Sequence, residues 1–166
     1  MNTGIEHLGT LDPLLFEMGR DAIFGLCVMA LVLIFNGLCF TQVLFFYRRR
    51  TTHIFETSVV RITLYFVTAV LALVISQMCS IMIWGTALYT KELIQSPSLA
   101  ILFSGSCYTT IGVFSDLLPT GWKSIAFYIA FSGLFSFAWA TSIMMSMVES
   151  LTKAWDKTAR KQKQLD

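Results

Sequence analysis

Ser96-Pro97-Ser98-Leu99-Ala100-Ile101-Leu102-Phe103-Ser104-Gly105-Ser106-Cys107-Tyr108-Thr109-Thr110-Ile111-Gly112-Val113-Phe114-Ser115-Asp116 is the stretch on which the fold turns. Up to Ser115 it lies within one of four charge-free intervals, bounded by Asp21 and Arg48, Arg61 and Lys91, Glu92 and Asp116, and Lys123 and Glu149. A helix needs about 20 apolar residues to cross about 30 Å of hydrocarbon, so all four intervals suffice on length alone. Three of them are dense in Leu, Ile, Val and Phe. This one carries Gln95, Ser96, Pro97, Ser98, Ser104, Gly105, Ser106, Thr109, Thr110 and Gly112. Ser96-Pro97 reads as an N-cap followed by proline at the first helical position. The pattern predicts a helix from Pro97 to about Tyr108, then a polar loop. Such a helix covers about 18 Å, too little to cross.

The rest of the chain supports a membrane reading. Apolar residues make up 55% of the 166 and charged residues 13%, against roughly 25% charged in soluble domains. Expected spans run over 22–47, from Val59 to Tyr89, and from Trp122 to Val148, with Asp12-Pro13 marking a helix start ahead of the first. Tyr47 followed by Arg48, Arg49 and Arg50, with Arg61 beyond, marks a cytoplasmic face. The tail carries Lys153, Lys157, Arg160, Lys161 and Lys163. Both basic segments fall on one side only if the polar interval dips in and returns. The sequence thus predicts an all-α membrane protein with three transmembrane helices and a re-entrant loop, N-terminus outside and C-terminus cytoplasmic. The expected organisation is an extracytoplasmic segment 1–21, a first span 22–47, a basic loop 48–58, a pore-like domain 59–148 and a basic tail 149–166.

Irregular backbone is tolerated at membrane depth only where protein covers it or water reaches it. A short helix leading into Thr109-Thr110-Ile111-Gly112-Val113-Phe114-Ser115-Asp116 suits a cation pathway. The negative end of its dipole faces the loop, and loop carbonyls can replace an ion's water shell. Gly112 opens backbone angles closed to other residues.

At Tyr108-Thr109-Thr110-Ile111-Gly112, with Asp116 beyond, the sequence resembles the pore domain of tetrameric potassium channels. Gly133-Leu134-Phe135-Ser136-Phe137-Ala138-Trp139-Ala140-Thr141-Ser142 resembles the inner helix of small bacterial members of that family. The resemblance covers roughly Val59 to Val148. It implies a homotetramer in a bacterial plasma membrane, with a potassium or sodium ion held by the carbonyls of Thr110, Ile111 and Gly112. It also implies an inner pore lined from Gly133, Phe137, Thr141, Met144 and Val148, which share a helical face apart from the proposed hinge Gly133. The filter departs from the family's Gly-Tyr-Gly-Asp: here it reads Gly112-Val113-Phe114-Ser115-Asp116. The outer half therefore has another shape, and potassium selectivity does not carry over. A non-conducting scaffold that keeps the pore fold, or a subunit of a larger membrane complex, are the rival readings.

Several classes lack support in the residues. No span carries a carboxylate, a histidine cluster or a metal-ligand pair, so no enzyme site is expected. No resident cofactor is expected. There is no basic stripe for nucleic acid. Cys27, Cys39, Cys79 and Cys107 follow no metal spacing. Asn36, Gln42 and Gln77 are polar groups inside spans, suited to hydrogen bonds between helices. The basic segments suit anionic lipid.

Overall fold

The computed structural model describes residues 3–52, 59–113, 117–119 and 122–163. It contains four helices among those residues and no strand: α1 (Thr3–Thr52), α2 (Val59–Thr90), α3 (Pro97–Tyr108) and α4 (Ile125–Lys163). Three are long and apolar enough to cross a membrane, over Asp21–Thr51, Val60–Thr90 and Ile125–Lys153. This is the architecture of an integral membrane protein. α3 spans the range its sequence predicts, and its 12 residues cover only about 18 Å. α1 does not begin at Asp12-Pro13. It runs through them from Thr3.

The chain divides into two compact units. One comprises Met1–Ile34 with Ser80–Phe135, the other Phe35–Cys79 with Ser136–Asp166.

The first unit is organised around α3. Its core joins Val32 of α1, Trp84 and Leu88 of α2, Phe103 and Tyr108 of α3, and Ile125 and Ile129 of α4. Close approaches replace bulky interdigitation at three glycines. A Cβ at Gly85 would lie 3.0 Å from the Cα of Ile101 on α3. A Cβ at Gly133 would meet the backbone carbonyl of Tyr108, 2.9 Å from its carbon. Gly25 is covered by the Tyr128 ring. The indole of Trp84 donates to Ser132 Oγ at 2.9 Å, and Ser132 donates on to the Ile129 carbonyl. Phe24 meets Trp122 edge-on, and the Lys91 ammonium sits 5.5 Å from the Phe24 ring centre.

The second unit is tied by a buried polar node. Asn36 of α1 is fully buried. Its Nδ2 donates to Ser136 Oγ on α4 at 2.9 Å, and its Oδ1 accepts from Ser76 Oγ on α2 at 3.0 Å. One carboxamide therefore links three helices, where lipid offers no alternative partner. The apolar core of this unit joins Phe40, Tyr47, Leu73, Ile143 and Met147. Tyr47 donates its phenol to the Met147 carbonyl at 3.2 Å. Gly37 lets the Trp139 ring approach, and Trp139 meets Phe40 edge-on.

α2 ends in a closed turn. Glu92 N–H bonds to the Tyr89 carbonyl and Leu93 N–H to the Leu88 carbonyl, with Glu92 at φ 55°. This is the Schellman pattern, completed by the apolar contact of Leu93 against the Leu88 core.

Candidate pore loop

α3 starts where proline demands. Ser96 stands at the N-cap in extended conformation, and Ala100 N–H bonds to the Ser96 carbonyl at 2.9 Å. The Ser96 hydroxyl makes no capping bond. Proline at the first helical position has no N–H to satisfy, and its fixed φ suits the start of a helix.

The far end of α3 builds the site. Thr109 donates its hydroxyl to the Gly105 carbonyl at 2.7 Å. Thr110 N–H bonds to the Cys107 carbonyl at 2.9 Å. Ile111 N–H bonds to the Ser106 carbonyl at 2.9 Å, and Gly112 N–H reaches the same oxygen at 3.0 Å. The Thr110 and Ile111 backbone bonds repeat the Schellman pattern of α2, with Thr110 in the left-handed position usually held by glycine. Thr110 has φ 62°. A β-branched residue there stores roughly 1–2 kcal/mol of backbone strain. Gly112 follows at φ 67°, with nothing near the place a Cβ would take. Its requirement is conformational rather than steric.

These bonds fix where the carbonyls point. A trans peptide is planar, so its C=O is antiparallel to its N–H. The N–H groups of Thr110, Ile111 and Gly112 all turn back toward the end of α3. The carbonyls preceding them, on Thr109, Thr110 and Ile111, are therefore turned to the opposite side. Those of Thr110 and Ile111 belong to the ion-holding set expected from the sequence, and Thr109 joins them. The direction of the Gly112 carbonyl is not set by these bonds.

The loop is uncovered within one chain. Thr110 and Gly112 are exposed, Ile111 is 69% exposed and Val113 65%. Phe114, Ser115 and Asp116 lie outside the described residues. On α4, Phe137, Thr141, Met144 and Val148 all face outward from their own unit. Thr141 donates to the Phe137 carbonyl at 2.8 Å. Gly133 differs from these four: it is buried in the other unit, against Tyr108. Its seat under Tyr108 was not readable from the sequence, because the partner is 25 positions away and no local pattern marks it.

Among the described residues no group of three or more His, Cys, Asp or Glu could hold a metal ion. Comparison of the chain with family models, with curated proteins and with solved structures found no match.

Proposed function

We propose that this chain is the subunit of a homotetrameric cation channel, with α3 and residues 109–116 as a re-entrant pore loop. The observation that carries the reading is the common direction of the Thr109, Thr110 and Ile111 carbonyls, on a segment exposed within one chain. Irregular backbone at membrane depth must be covered by protein or reached by water. Four loops around a common axis meet both conditions, and their carbonyl rings take the place of an ion's hydration shell. Phe137, Thr141, Met144 and Val148 then line the inner pore, where apolar side chains gate by dewetting.

The filter sequence limits the selectivity assigned. Gly112-Val113-Phe114-Ser115 supplies no second glycine, so the pathway takes monovalent cations with weak preference between potassium and sodium. In this reading the protein has no enzymatic role. It sits in a bacterial plasma membrane with its C-terminus in the cytoplasm, and its basic segments contact anionic lipid.

The test is reconstitution of the purified chain into vesicles, with flux measured under potassium and sodium gradients. Cation flux abolished by substitution in Thr109–Gly112 supports the proposal. Absence of flux across the accessible range of voltage and pH overturns it. The same filter departure favours one second reading, a non-conducting membrane scaffold that keeps the pore fold. A tetramer by mass that passes no ion is its signature.

A further inference from the structure

We propose that the exposed stripe of α1 centred on Gln42 is a docking surface for α1 of a second copy of this chain. The stripe comprises the half-buried Phe35 and the exposed Leu38, Gln42 and Phe45, spaced three, four and three residues apart, with Arg49 four residues beyond. That spacing is the seam of a helix pair. Leu38 and Phe45 are among the most exposed side chains of α1, and Gln42 lies exposed between them.

Gln42 is what distinguishes this face from one that meets only lipid. It stands six residues before Arg48, about 9 Å along the helix, so its carboxamide lies inside the hydrocarbon. The side chain lacks the long stem with which lysine or arginine reaches the interface. Four exposed threonines of the spans meet their own needs. Thr41, Thr68, Thr86 and Thr141 each donate to the carbonyl four residues back. Asn36, one and two-thirds turns away on α1, is satisfied by Ser76 and Ser136. Among the described residues the Gln42 side chain forms no hydrogen bond.

A carboxamide carries a donor and an acceptor, so it is complementary to itself. The same residue on a second α1 supplies both missing bonds at once. Two copies inserted in one orientation present parallel helices, and the pair closes about a two-fold axis with Gln42 against Gln42. Such a contact differs from the interface of a four-fold ring. It joins subunits through their peripheral helix, whether or not the loop conducts.

The experiment places a benzophenone side chain at Phe45 of the full chain in membranes, with Gln42 and the native cysteines intact. The expected product is a pair of chains joined within residues 35–49 of a second copy. Gln42→Leu lowers the yield about fivefold and Gln42→Asn retains most of it. A label at the lipid-facing Leu71 gives little pair. Cross-links only to lipid, to another protein or to other helices overturn the proposal. An unchanged yield in Gln42→Leu does the same. Should Gln42→Leu fail to accumulate, the cross-link map with Gln42 intact decides alone. Vesicle flux, measured in parallel, judges the pore reading separately from the α1 pair.

Discussion

The carbonyl of Tyr108, the last residue of α3, occupies the place that a Cβ on Gly133 of α4 would take. No side chain stands between the two helices at that point. The C-terminal turn of α3, which positions the candidate loop, is thus held by backbone against backbone. A carbonyl fixed in a helix turn cannot yield as the tip of a side chain can.

Gly133→Ala is therefore expected to destabilise the protein by about 1–3 kcal/mol, the usual cost of overpacking. Thermal unfolding in detergent measures it. Gly105→Ala is the control. A Cβ there meets only Ile81 at 3.5 Å, ordinary contact. Removing a mid-helix glycine gains about 0.5–1 kcal/mol, so this variant should match or exceed the parent.

Thr110→Gly should stabilise the folded chain by up to about 1 kcal/mol, since glycine adopts φ 62° without the strain threonine bears. Glu92→Gly should act alike at the end of α2, where φ is 55°. The two separate in vesicle assays. Under the channel reading Thr110→Gly alters cation flux, whereas Glu92→Gly leaves it unchanged. Equal effects of both on flux would count against a filter at Thr110.

Asn36→Leu should cost about 1–3 kcal/mol, because Ser76 and Ser136 each lose a bond to a buried carboxamide. Ser136→Ala made on top of Asn36→Leu should add less than it costs alone, as partners in one network are not additive. Chemical unfolding of the four chains in a double-mutant cycle gives the coupling directly.

A reporter fused after Asp166 should be active only in the cytoplasm, and a cysteine at Val113 should react with an impermeant reagent from the opposite side. Three spans and a returning loop predict that pair of results. A C-terminal reporter active outside would require α3 and its flanks to cross.

The spans were legible because charges are excluded from hydrocarbon, and the gaps Asp21 to Arg48, Arg61 to Lys91 and Lys123 to Glu149 mark them without any alignment. The limits of α3 were legible from Ser96-Pro97 and from the polar, glycine-containing run that follows Tyr108. What stayed hidden has two physical causes. Helices that are apolar on every face carry no periodicity that tells lipid from protein. Asn36 and Gln42 consequently look alike in the sequence, although one joins three helices and the other faces outward. Local propensity also argues against a β-branched residue at positive φ, so the turn at Thr110 could not be read from residue type.

The glycine seats constrain how this sequence can drift. At the outward positions of α2, such as Leu64, Leu71 and Met82, one apolar side chain can replace another with little consequence. At Gly85 and Gly133 even a single added methyl would strike backbone, so mutation there can be accepted only if α3 shifts at the same time. In a collection of diverged copies, positions 85 and 133 should therefore stay glycine unless several substitutions that move α3 accumulate with the change.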